Sequence, residues 1–330
     1  MRVFPEFHRT QFLTDEQRRA ASELSPAARQ AMVTNLVVPS SQFKRLTERV
    51  ARFHRPVDDG IAGPGWVGGL LGDSRAGKST ILQSYASKFS AVLGENGYIV
   101  PVLYIEARDD WDLLEFGRQI YLETAASSIP RLSTASVNTQ AARRVALFGV
   151  ELLIIDDAHR LFAKMRKTPY YVSLLTAIAN AKNCNILLAG LPSIRESVEL
   201  IPHLKNRGGF PHDTAYDFDA DIPDDREQFR VFLEGVDRRL PFLRKSGLSS
   251  KSYVADFLHV SRGSIGNVMN IVIDAAYMAI NEKRNCIMPS HLRTAALERM
   301  KDGAKVAKEG KQYIPFNHIS DDGPEVADAA

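Results

Sequence analysis

Eight consecutive residues, Gly72-Asp73-Ser74-Arg75-Ala76-Gly77-Lys78-Ser79, match the spacing G-x-x-x-x-G-K-S. That spacing suits one task, holding phosphate. Glycines let backbone N–H groups curl around an anion, and a helix that starts at Lys78 adds the partial positive charge of its N-terminus. Lys78 carries a full charge to β- and γ-phosphates, and the Ser79 hydroxyl is a ligand for Mg²⁺. The expected nucleotide contacts are Gly72, Asp73, Ser74, Arg75, Ala76, Gly77, Lys78, Ser79 and Thr80. The flanks support the match: Trp66 to Leu71 reads as a short buried strand, and a helix pattern runs from Lys78 to about Leu93.

A second group of acids complements the first. Leu152-Leu153-Ile154-Ile155 is a buried strand that ends in Asp156 and Asp157. An acid at the C-terminal end of such a strand sits beside the phosphate site of a parallel sheet. Asp156 is the expected Mg²⁺ partner. Asp157 is placed to orient or deprotonate an attacking water. A strand ending in a solvated acidic turn is the plainer reading of the acids alone. His159 suits a γ-phosphate sensor or a packed histidine, and Ser193 a polar sensor. Asn185 enters its strand at the wrong end for phosphate. A cation before the fifth strand, Arg207 first and Arg195 second, suits charge stabilisation in a neighbouring subunit's site or a solvated helix end.

The elements that must position these residues alternate. Strands are expected at Trp66–Leu71, Tyr98–Ile105, Glu151–Asp156, Asn185–Ala189 and Thr214–Phe218, with helices at Trp111–Ala126, Val137–Phe148, Tyr170–Lys182 and Ser193–Leu200. Alternation predicts an α/β fold, a five-stranded parallel sheet with helices on both faces. From Pro223 the pattern is helical only, near 224–239, 249–259, 264–282 and 290–300. Before the core, Thr14-x-x-Gln17 fits a capping box, Pro26 interrupts the helix it opens, and Ser41 to Arg55 forms a further helix. The expected organisation is an N-terminal arm with helices (1–60), an α/β ATPase core (61–222), a helical lid (223–300) and a disordered tail (301–330). In that tail Tyr313-Ile314-Pro315-Phe316 suits docking onto a partner, or has no role.

A whole strand and two helices separate the phosphate loop from the acidic strand, which favours P-loop ATPases with an extra strand over the kinase–GTPase layout. No N-K-x-D signature for guanine is present, so ATP is the expected nucleotide. The chain has 330 residues and a formal net charge of +3, mildly basic and compatible with nucleic acid without requiring it. Cys184 and Cys286 make neither a disulfide framework nor a zinc pattern, which suits a reducing cytoplasm. No apolar run is long enough to span a bilayer.

The combination G-D-S-R-A-G-K-S-T, L-L-I-I-D-D-A-H-R, I-L-L-A-G-L-P and Ser261-Arg262-Gly263-Ser264-Ile265-Gly266 resembles the TniB/TnsC family of AAA+ ATPases, over residues 33–300. The resemblance implies ATP bound between subunits of a ring or filament on duplex DNA. It also implies a role linking a TniQ-like target selector to a DDE transposase. Two departures stand out. Asp157 takes a position where these ATPases usually carry Glu, which implies slow hydrolysis. The usual arginine of the helical-domain sensor helix is replaced in its neighbourhood by Asn267, with Arg262 upstream. For DNA, the AAA+ layout would put Lys164, Arg166 and Lys167 on a pore-facing loop, with Arg143 and Arg144 on the preceding helix. A replication initiator or helicase loader, and a signalling NTPase indifferent to DNA, are the competing readings.

Overall fold

A computed structural model describes residues 2–58, 60–95, 97–124, 128–163, 168–299 and 313–317. In chain order the elements are α1 (Asp15–Ser22), α2 (Pro26–Thr34), α3 (Ser41–His54), β1 (Val67–Leu71), α4 (Lys78–Ala86), β2 (Val92–Gly94), β3 (Gly97–Ile99) and β4 (Val102–Glu106). Then come α5 (Leu113–Glu123), α6 (Val137–Leu147), β5 (Leu152–Asp156), α7 (His159–Phe162), α8 (Thr168–Asn180), β6 (Asn185–Gly190), α9 (Ser193–Glu199), α10 (Pro202–Lys205) and β7 (His212–Thr214). The chain continues with α11 (Pro223–Asp237), α12 (Lys251–Ser261), α13 (Ile265–Asn281) and α14 (Pro289–Arg299).

Two compact units result. One joins the residues up to Phe4 with Lys44–Tyr216; the other joins Pro5–Phe43 with the chain from Asp217 onward. In the first unit five parallel strands lie in the order β4-β5-β6-β1-β7. Strands β1, β5 and β6 are buried along their whole length, as near-continuous aliphatic runs require when helices cover both faces. Phe116, Ile120, Leu153, Ile155, Ile186 and Leu188 form the centre of this core. Strand β6 lies between β1 and β5, so the phosphate loop and the acidic pair emerge from the same edge of the sheet, one strand apart.

Three expectations are corrected here. The helix from Lys78 ends at Ala86, and Val92–Gly94 pairs with Gly97–Ile99 as an antiparallel hairpin. Pro101, without an N–H, separates the hairpin from β4, so the strand expected over Tyr98–Ile105 is divided between β3 and β4. The fifth strand is His212–Thr214, shorter and earlier than expected, because it pairs only with Gly69–Leu71.

The second unit is helical: α1, α2 and α11 to α14 enclose Phe229, Leu233, Phe257, Val268, Ala275 and Ala276. The segment read as 1–60 therefore divides between the units, because Val33 and Leu36 bury their apolar faces in the helical core. Thr14 and Gln17 make the expected reciprocal cap. Pro26 opens α2 at its first turn, where a missing N–H costs nothing. Gly263 follows α12 with φ +75°, and a Cβ there would fall 1.8 Å from the Phe218 carbonyl oxygen. Only glycine fits, which gives a backbone reason for its place in the Ser261–Gly266 motif. Among the described residues no single helix is long and apolar enough to cross a membrane.

Candidate functional site

The phosphate loop starts where β1 meets a close neighbour. A Cβ on Gly72, whose φ is +152°, would fall 2.2 Å from the Ala215 carbonyl oxygen. Gly77 is the N-cap of α4 at φ +88°, with no side chain capping the first turn. Those first N–H groups are the donors a helix offers to an anion. Between the glycines, Asp73, Ser74 and Arg75 are exposed, as are Ser79 and Thr80, whereas Ala76 is buried. Arg75 adopts φ +72°, an uncommon left-handed conformation for a side-chain-bearing residue. Lys78 is buried, and its Nζ donates to the carbonyls of Gly72 (2.9 Å) and Asp73 (2.7 Å). The lysine therefore holds the loop's shape as well as its charge.

Opposite it, Asp156 ends β5 with 2% exposure. The Asp157 N–H donates to its Oδ1 (2.9 Å), and the Tyr104 hydroxyl donates to its Oδ2 (2.5 Å). The Ser79 side chain lies near enough to this carboxylate to favour its charged form. Burial raises the Asp156 carboxyl above the ordinary carboxylate range, while Tyr104, Ser79 and the Asp157 N–H pull it back. A desolvated carboxylate with a hydroxyl beside it supplies two hard oxygen ligands, a donor set that fits Mg²⁺.

Tyr104 carries no signal of its own in the sequence. It pairs with Ile154 across β4 and β5, so it shares a sheet face with Asp156 two residues on, within reach of a long aromatic side chain. Gln83 from α4 donates to its hydroxyl (3.1 Å). The Arg2 guanidinium lies over its ring at 4.7 Å, and Phe4 meets it edge-on at 5.7 Å. Tyr104→Phe should remove one donor from a buried carboxylate, a loss of about 1.5–3 kcal/mol for a charged hydrogen bond. The expected result is a Mg²⁺ requirement raised about tenfold, with nucleotide affinity in EDTA unchanged. Titrating Mg²⁺ at fixed nucleotide checks it; an unaltered Mg²⁺ dependence would remove Tyr104 from the site.

Asp157 also adopts a left-handed backbone, φ +52°, and its carboxylate meets Arg160 at 3.3 Å. Arg160 shares its guanidinium with Asp109 at 2.9 Å. The side chains of Asp157 and Arg160 are about one-third exposed, so the pair contributes little stability and can open to water. His159 packs on Gly190, where a Cβ would lie 2.8 Å from its Nδ1. Burial lowers its pKa.

The remaining candidates separate. Ser193 is exposed at the start of α9. Asn185 is fully buried at the far end of the sheet, bonded to the Trp66 N–H and the Phe53 carbonyl. Arg195 pairs with Glu199 one turn along α9. Arg207 bonds Asn180, and its carbonyl accepts from the Val67 N–H, which places it at the strand edge opposite Gly72 of its own chain. Arg143 is exposed on α6. Arg144 is not a solvent-facing cation: it donates to the hydroxyl and carbonyl of Thr124 and stacks 3.6 Å from the Phe148 ring centre. It closes the C-terminus of α5, where a cation is favoured. Lys164, Arg166 and Lys167 lie outside the described residues.

The strand between the two walls joins them. The Gly190 carbonyl accepts from the Gly72 N–H (3.1 Å), and the Ala189 carbonyl accepts from the Ala158 N–H (2.7 Å).

Similar solved structures share this arrangement as a fold. A Cdc6p from Pyrobaculum aerophilum superposes with a TM-score of 0.57 at 16% identity, over 78% of this chain and 66% of that one. The Aeropyrum pernix ORC2 protein, in ADPNP–ADP complexes, gives 0.57 at 17% identity over 80% and 70%. The Aeropyrum pernix ORC1 protein in complex with DNA gives 0.56 at 16% over 78% and 64%. The chain thus spans about two thirds of the length of these neighbours. A search of the curated proteins finds no match. The model of the family described as "Bacterial TniB protein" matches residues 68–210, from within β1 to just before β7. That span holds the phosphate loop, the acidic pair and the strand between them, so over residues 68–210 the chain is similar to the TniB family, on a fold shared with the Cdc6 and ORC structures.

Proposed function

We propose that the chain is an ATP-dependent regulator of DNA transposition, working in the cytoplasm. In this reading it assembles as a ring or filament on duplex DNA and links a TniQ-like target selector to a DDE transposase. The observation that carries the reading is the family match over the segment that contains both walls of the phosphate site. The Cdc6 and ORC likeness is one of fold and does not move the reading towards a replication initiator.

Within that function, Lys78 and the first turn of α4 bind the phosphates. Ser79 and Asp156 are the residues that would hold Mg²⁺, which when bound neutralises charge on the β- and γ-phosphates. Tyr104 orients the Asp156 carboxylate. Asp157 orients the attacking water or takes its proton, and its shorter side chain than Glu makes slow turnover the expectation. Arg207 of a neighbouring copy supplies charge to the transferring phosphate. Arg143, with Lys164, Arg166 and Lys167, meets DNA phosphates.

Electron microscopy with duplex DNA and a slowly hydrolysed ATP analogue tests the assembly. Rings or filaments around DNA are expected; monomers with DNA and analogue present would overturn the reading. Charge reversal at Arg143, Lys164, Arg166 and Lys167 should abolish salt-sensitive DNA binding while nucleotide affinity holds.

A further inference from the structure

The described tail residues Tyr313–Asn317 are bound by the helical unit. Phe316 is fully buried, edge-on to Tyr253 at 5.5 Å and to Phe257 at 5.0 Å. Asp256, itself 4% exposed, accepts from the Phe316 N–H at 2.9 Å and from the Tyr313 hydroxyl. Arg293 donates to the Phe316 carbonyl at 3.0 Å, and His259 lies 4.1 Å from the Tyr313 ring centre. The cluster whose composition suits docking onto a partner, or no role, is thus docked on its own chain.

We propose that this face of α12, with Arg293 of α14, is a recognition site for a short segment with a phenol three residues before an aromatic anchor. Its partner is the same segment on a second copy of this chain. The segment's contacts come from Tyr313 and Phe316, beyond the end of α14, so the site reads local chemistry rather than an element continued from the fold. The anchor has a pocket, the backbone N–H and carbonyl on either side of it have partners, and Pro315 limits the freedom lost on binding. A buried carboxylate needs donors, and the segment supplies two. Every copy carries both halves, so two copies that cross tails keep each of these contacts. A short tether gives the chain's own tail an effective concentration on the order of millimolar. A separate segment must compete with that, so exchange is favoured where copies are held side by side.

The test uses a fluorescein-labelled peptide with the sequence of residues 311–319, followed by anisotropy. A full-length chain carrying Tyr313→Ala and Phe316→Ala should bind it saturably, at least about tenfold more tightly than the unaltered chain, whose site is filled. Adding Asp256→Asn should weaken binding again, about tenfold. Equal binding by altered and unaltered chains, no saturable binding by the folded double variant, or indifference to Asp256→Asn would overturn the site. Mixing the double variant with the Asp256→Asn chain, without nucleotide, should give a sedimenting pair; peptide binding without pairing overturns the second copy as partner. Should the double variant fail to fold, a protease site placed within residues 300–312 is cut after folding. Excess peptide should then release the cut tail, and retention against millimolar peptide counts against exchange.

Discussion

Lys78→Ala is expected to abolish nucleotide binding at micromolar concentrations, with any ATP-dependent assembly lost alongside it. Two losses add. The phosphates lose a desolvated cation, worth about 2–5 kcal/mol where a buried charged partner is truncated. The carbonyls of Gly72 and Asp73 lose their shared donor, so the loop itself slackens. The first loss alone predicts a fall in affinity of at least about thirtyfold. Titration with a fluorescent ATP analogue measures it, and circular dichroism checks that the fold survives. An unchanged dissociation constant would show that the loop does not hold phosphate.

Asp156→Asn is expected to move activity and stability in opposite directions. Mg²⁺-dependent turnover should fall at least about hundredfold, because a carboxylate ligand worth several kcal/mol becomes neutral. The unliganded chain should melt a few degrees higher. The sign follows from burial, which raises the folded-state pKa of Asp156 above its unfolded value. Below the ordinary carboxylate pKa both states are protonated and the group costs nothing. As pH rises from there through the raised folded value, the folded chain holds more protons than the unfolded one and stability falls. The cost grows across that rise, and the neutral amide relieves it. Asparagine keeps one carbonyl oxygen for the Asp157 N–H and faces the Tyr104 hydroxyl with its amide. Melting curves at pH 4 and pH 7.5 should show the gain only at the higher pH. A variant that melts lower at pH 7.5 would contradict the account, and full turnover would take the metal away from Asp156.

The parts of the site that are written as contiguous residues were legible. The glycines, Lys78 and Ser79 occupy one turn, and the aliphatic run into Asp156 signals a covered strand without further context. The parts that depend on register were not. Tyr104 looks like any aromatic in a strand until β4 pairs with β5 and sets it on the face of Asp156. Arg143 and Arg144 are indistinguishable as letters, yet only Arg144 finds the end of α5 and the Phe148 ring. Val92 and Leu93 read as the end of a helix because no proline or glycine interrupts Lys78 to Leu93, and Tyr98 and Ile99 read as the start of the next strand, whereas both pairs lie in the hairpin. Composition marks the tail as unfolded apart from the Tyr313–Phe316 cluster, and it does not register the fit of Phe316 against Tyr253 and Phe257 of the same chain.

Strand β6 carries no proposed chemistry, but it fixes the bite of the site. Neighbouring strands lie about 4.8 Å apart, so two steps set the loop of β1 and the acids of β5 about 10 Å from each other. Gly190 and Ala189 grip the two walls by their backbones, at adjacent residues of one strand end. The jaw therefore has a built-in gauge whose setting no surface side chain adjusts. A mutation that shifts β6 by a single residue would pull both walls at once and misplace every ligand by the same slip. Variation between sites of this build should accordingly be sought at the tips of the jaw, while the gauge between them stays the same.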